Sequence, residues 1–183
     1  SLAGTATAKA AVVLEGTTAA TDAATVYASG VTTLETENGA HQVEGLTLIG
    51  NGAAATFELN ATTDQPLTVS LAGTNPVTFQ AEATQLELMT AVTGDSTGVT
   101  TVIAAGTAIN ADTDFSTITA DVIDINSGIN AAANRTLTFT DAQGIKLSAD
   151  NVNPMTLDIT DGSATTTQAA GSLSLDIDIA DIN

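Results

Sequence analysis

The sequence predicts an all-β protein, with a parallel β-solenoid carrying an internal duplication as the leading architecture and an antiparallel β-sandwich as the alternative. Three observations predict it. Apolar residues alternate with Thr, Ser, Glu or Gln over short runs: Phe57 and Leu59, then Leu67, Val69 and Leu71, then Val77 and Phe79. That is the period of a half-buried strand. A helical period is missing, since no segment beyond about eight residues holds 3.6, whereas an ordinary domain is roughly a third helix. Finally, the stretch 45–82 has a second copy at 121–161, with the same order of an alternating run, a Gly/Asn turn, a triple Ala and three short runs. Ile145-Lys146-Leu147-Ser148 stands 78 residues after Leu67-Thr68-Val69-Ser70, and Asn153-Pro154-Met155-Thr156-Leu157 stands 78 after Asn75-Pro76-Val77-Thr78-Phe79. The repetition divides 1–183 into one domain of two homologous halves, about 1–90 and 91–183, and it constrains the architecture before any single element does.

In chain order, 1–16 begins with small residues and becomes a strand at Ala10–Leu14. It reads as the start left after a secretory signal is removed, although an artificial boundary would look the same, and it is too short and polar to span a membrane. Weak alternation follows through Val26, Val31 and Leu34, with short helical turns expected near 19–24. Asn38-Gly39 is the best two-residue hairpin signal in the chain. The runs beginning at Phe57, Leu67 and Val77 start ten residues apart, which leaves five or six residues of strand and four of turn. Pro66, Pro76 and Pro154 each precede an apolar-Thr-apolar run, and the start of a strand is where a missing N–H does least harm. Leu86-Glu87-Leu88, 99–104 and 115–120 read as further strands. The last strand is the most regular, with Leu173, Leu175, Ile177 and Ile179 alternating with Ser174, Asp176, Asp178 and Ala180.

Composition limits both core and partners. One Tyr and four Phe among abundant Ala, Val, Thr and Gly cannot fill a wide interior, so a narrow lumen or two close sheets fits better than a large barrel. With no Cys there is no disulfide, thiol chemistry or Cys-ligated metal. The chain has 21 acidic residues against only Lys9, Arg135 and Lys146, a net charge of −18. Such a surface repels phosphate backbones and anionic membranes, which argues against nucleic-acid binding and membrane docking.

Chemical constellations are thin. His41 has no Cys to activate and no second His to share a metal; beside Glu44 it reads as a solvated loop residue. Paired carboxylates occur at Glu35/Glu37, Asp112/Asp114, Asp121/Asp124, Asp158/Asp161 and Asp176/Asp178. Glycoside hydrolysis needs two carboxylates in contrasting environments. These lie in turns or on polar strand faces, so the chain is expected not to be an enzyme. Calcium is the better alternative role, through Asp112, Asp114, Asp121 and Asp124 as fragments of an oxygen-rich loop; a plain solvated face is the default reading and is preferred. Asn60-Ala61-Thr62 and Asn134-Arg135-Thr136 match the glycosylation sequon, a pattern that chance supplies in a Thr-rich chain.

The phrases ADVIDINSGIN, NRTLTF, GIKLSADN and MTLDIT, within 118–160, resemble the repetitive passengers of filamentous-haemagglutinin and autotransporter-type exoproteins. The resemblance covers about a third of the chain. It implies a right-handed parallel β-solenoid, secretion, and a role in adhesion and surface display. A second resemblance, in AVVLEG, ATFELNATTDQPLTVSLAG and AAGSLSLDIDI, is to pilin-like β-sandwich subunits that polymerise by strand addition. Both imply an extracellular or cell-surface, non-catalytic polymer or adhesin. The assembly strands are then Ala10, Val12 and Leu14 at one end and Leu173, Leu175, Ile177 and Ile179 at the other. The expected partners are further copies in a homo-oligomer or filament, or a cell-surface or glycan ligand. A carbohydrate- or calcium-dependent binding module is the alternative.

Overall fold

The computed structural model describes residues 2–3, 10–14, 22–36, 43–60, 66–106, 108–109, 112–125, 130–131, 135–140, 144–147, 155–160 and 165–170. The first four strands are β1 (Leu2–Ala3), β2 (Ala10–Leu14), β3 (Ala23–Thr36) and β4 (Gly45–Asn60). Next come β5 (Thr68–Ala72), β6 (Val77–Glu82), helix α1 (Ala83–Leu88), β7 (Ala91–Gly94), β8 (Thr100–Ala105), β9 (Ala108–Ile109) and β10 (Thr113–Asp114). The remainder are β11 (Ile118–Thr119), β12 (Val122–Ile125), β13 (Asn130–Ala131), β14 (Arg135–Thr140), β15 (Gly144–Leu147), β16 (Met155–Thr160) and β17 (Thr165–Ala170).

How β5 pairs relative to β6 decides the architecture. A sandwich would join these sequence neighbours as a hairpin, yet β5 pairs with β4 and β7 while β6 pairs with β4 and β8, all in parallel. The chain is therefore a β-solenoid of stacked coils. A first ladder runs β1, β3, β4, β5, β7, β11, and a second runs β2, β3, β4, β6, β8, β12, β15. The long strands β3 and β4 serve both ladders. The register of β3 on β4 shifts between Ala28 and Gly30, where Gly30 has φ 80°. A third ladder joins β10, β14 and β16 in parallel, and β17 pairs with β16 as the one antiparallel partner among the described residues. β9 and β13 form a short separate pair.

Stacking puts like positions of successive coils in line. On the second ladder Thr32, Phe57, Phe79, Val102, Ile123 and Ile145 stand in one register, all buried. On the first ladder Leu46, Val69, Val92 and Ile118 form another buried column, beside Val26, Leu48 and Leu71. Phe115 and Phe139 stack with ring centroids 5.3 Å apart at 26°. The narrow lumen expected from composition is thus filled by aliphatic side chains and a few rings.

Four expectations change. Leu86-Glu87-Leu88 is not a strand but the end of α1. The Glu82 N–H donates to the Gln85 side-chain oxygen at 2.9 Å, and Ala83 and Leu86 are buried one turn apart while Leu88 is exposed. A helix this short has no room to display a 3.6 period, so L-E-L imitates alternation. Asn38-Gly39 lies outside the described residues, but β3 and β4 on either side of it run parallel, so it does not close a hairpin between them. Of the helical turns expected near 19–24, Ala23 and Ala24 belong to β3 and 17–21 lie outside the described residues. In 115–120, Ser116 and Thr117 form a turn and only Ile118–Thr119 is strand. The coil period is read directly from the pairing. Stacked partners lie from 20 apart, as Leu137 and Leu157, to 26 apart, as Val92 and Ile118. The 78-residue offset is about three and a half such turns and carries Val69 on the first ladder to Leu147 on the second.

The core positions yield a direct check. Phe57, Phe79 and Phe139 are each fully buried, with Phe57 and Phe79 in register and Phe139 on the third ladder. Phe79→Ala is expected to cost roughly 3–5 kcal/mol in urea unfolding, as for other buried rings. Thr78→Val, on the outward side of the same strand, should stay within about 1 kcal/mol of wild type.

Candidate functional site

The winding creates two kinds of polar surface, the corners between ladders and the outward sides of the ladders. At the corners, irregular backbone must find hydrogen-bond partners outside the regular pairing. Entering the first ladder, the Asp22 N–H donates to Glu44 Oε2 at 2.7 Å. The Leu67 and Thr68 N–H groups both donate to the Glu44 carbonyl, at 3.1 and 2.9 Å, and the Thr90 N–H donates to the Leu67 carbonyl at 2.7 Å. Between the ladders, Asn75 Nδ2 donates to the Gly50 carbonyl at 2.9 Å, and Ser96 Oγ donates to the Asn75 carbonyl at 2.8 Å. Gly98 packs so tightly here that a Cβ would lie 2.6 Å from Asn75 C and Pro76 N.

Three of the four calcium candidates fall among these corner contacts, and the fourth, Asp124, lies on a strand. Asp121 Oδ2 accepts from the Thr100 N–H at 2.7 Å and from Thr100 Oγ1 at 2.8 Å, while the Asp121 N–H donates to Thr100 Oγ1 at 3.0 Å. Asp112 Oδ1 accepts from the Thr136 N–H at 2.9 Å, and Asp114 Oδ1 from the Ser116 N–H at 2.8 Å. Asp124 sits half-buried on β12, in register with Ile103 and Lys146. Among the described residues no three His, Cys, Asp or Glu side chains gather into a metal-binding group. Three of the candidates are instead acceptors for backbone N–H groups, two of them between neighbouring coils.

Of the expected assembly strands, Ala10, Val12 and Leu14 form β2, which pairs along one edge with β3; Leu14 is buried and Val12 half-buried. Leu173, Leu175, Ile177 and Ile179 lie outside the described residues, as do His41 and the pair Asp176/Asp178. Among the described residues no helix is long and apolar enough to cross a membrane.

Sequence reading missed the outward side of the first ladder. Thr25, Thr47, Ser70, Thr93 and Thr119 occupy one register across successive coils, and all are exposed or half-exposed. Beside them run Tyr27, Ile49 and Ala72, with Tyr27 at 49% exposure. Its members recur 22 to 26 positions apart, and each alone is an ordinary outward Thr or Ser, so only the register reveals the row. Comparison with family models, with curated proteins and with solved structures found no match for this chain.

Two measurements check the corner assignment. Asp121→Ala removes two acceptor contacts and is expected to lower stability by about 1–2 kcal/mol. With those carboxylates already engaged by the fold, millimolar calcium should raise the melting temperature no further than a salt control of matched ionic strength. A rise of several degrees specific to calcium would return the four aspartates to the role of ligands.

Proposed function

We propose that the chain is a secreted, non-catalytic structural protein: a segment or subunit of an extracellular filament, surface layer or adhesin whose copies join through the edges of their coils. The observation that supports this reading is the axial ladder. Each coil presents the next with a full row of backbone donors and acceptors and a matching column of side chains. A stack of this kind is stabilised by nearest neighbours and extends without a new type of contact. The edge of β2 away from β3 pairs with no other strand among the described residues. Unpaired strand edges are where chains add to one another. The near absence of bases supports an exposed location, since strong mutual repulsion keeps copies apart until edges meet.

Electron microscopy of the purified chain tests the proposal, with fibres or ordered arrays as the expected result at raised concentration and salt. Val13, 54% exposed on β2, is the position for a gatekeeper. Val13→Lys is expected to reduce assembly while leaving the melting temperature within about 2 °C of wild type. A wild-type chain that stays monomeric by sedimentation under all these conditions overturns the filament reading.

A further inference from the structure

The acids are distributed unevenly over the ladders. The second ladder carries Glu35, Glu58, Glu82, Asp124 and Lys146, and the third carries Asp114, Arg135 and Asp158. No residue of the first-ladder segments is charged: 23–29, 45–49, 68–72, 91–94 and 118–119 contain none. Repulsion between coils does not explain the difference. On the other ladders acids are accommodated by interleaving, with Glu35 opposite Asn60, Glu58 opposite Gln80, Glu82 opposite Ala105 and Asp114 opposite Thr138. The same device was open to the first ladder, and in a chain of net charge −18 its strands remain neutral. Acids stand only at the ends of these segments: Asp22 and Glu44 just before β3 and β4, and the exposed Asp95 just beyond β7, whose Oδ2 accepts from Ser70 Oγ of the column at 2.9 Å.

Strands free of charge can be desolvated against a partner without stranding an ion, with Asp95 left at the border where water still reaches it. Their chemistry identifies the kind of partner. One column supplies hydroxyls at about 4.8 Å intervals along the axis; Ser70 donates its proton to Asp95 and can only accept, while a hydroxyl without such a partner can donate and accept. The adjacent column supplies Tyr27, Ile49 and Ala72, an apolar strip with an exposed ring. Side by side these strips match an extended sugar chain, which presents hydroxyls on its edges and C–H groups on its faces. A second copy of this protein fits less well. Strands of about five residues stacked five high cover roughly 350 Å², well under the roughly 800 Å² a side of a stable protein–protein interface. We propose that the outward side of the first ladder is a binding face for a neutral, extended polysaccharide lying along the solenoid axis. This deepens the extracellular reading above by giving the rod a ligand.

The test is depletion of the full chain from solution by insoluble neutral polysaccharides, microcrystalline cellulose, chitin and β-1,3-glucan, with a polyuronate as the charged control. Binding to at least one neutral polymer and none to the polyuronate is expected. Thr47→Glu combined with Thr93→Glu should weaken it by about tenfold or more, because two carboxylates would face neutral sugar. Tyr27→Ala, which adds no charge, should weaken it by a smaller factor, and Thr78→Glu on the second ladder should leave it within about twofold. Absence of binding to all three neutral polymers overturns the proposal, as does equal loss from the Thr78 variant. Wild-type self-association abolished by the Thr47/Thr93 pair, without glycan binding, would reassign the face to a second copy. The two readings separate cleanly: fibres without glycan binding leave the filament standing and remove this face, and glycan binding by a monomer does the reverse.

Discussion

Every coil of this chain must place its inward side chain directly over that of the coil before, at the fixed spacing of parallel strands. The second ladder shows how that is met. Phe57 lies on Phe79, and beyond the two rings the column continues as Val102, Ile123 and Ile145. At the other end it narrows to Thr32, buried with no partner for its hydroxyl. Two rings in line, with branched aliphatics elsewhere, fill a lumen too narrow for more. A coil in isolation cannot bury its core, because much of the cover over its apolar residues comes from the coils on either side.

Because the constraint acts between coils, part of it is legible along the chain and part is not. The period of two correctly places Phe57, Phe79, Val69 and Leu71 inside, since inward or outward is a property of one strand. Which strand lies over which is a property of turn lengths, and these vary enough that no fixed repeat marks the coil. Phrases such as Leu67–Ser70 and Ile145–Ser148 match because strands of either ladder obey the same alternation, although one stands on the first ladder and the other on the second. The hydroxyl column from Thr25 to Thr119 was invisible for the same reason. Each of its members is an ordinary outward Thr or Ser, and only the register makes them a row.

Register also explains how short departures from strand are absorbed. Helix α1 occupies the passage between β6 and β7, burying Ala83, Gln85 and Leu86 while Glu87 and Leu88 face out. Gly73, at φ 104°, permits the tight bend from β5 to β6, a conformation costly for any residue with a Cβ. Such corners let a coil lengthen or shorten by a few residues without disturbing the columns on either side.

The corners also give several of the acids a structural place. Turns of unequal length leave backbone N–H groups without the carbonyl that a regular ladder would supply. At Ala55 and Val77 the acceptors are still backbone, the carbonyls of Pro76 and Val99. One coil further on, at Thr100, the acceptor is the Asp121 carboxylate. Glu44 and Asp112 do the same for Asp22 and Thr136. A carboxylate is well suited to this place, being acceptor-only with two oxygens and making stronger bonds to N–H than a neutral acceptor does. A basic side chain offers only donors and would leave the N–H unmatched. The acids at these corners are held by amides and so need no ion-pair partners, which is one way a chain with only three bases accommodates its carboxylates.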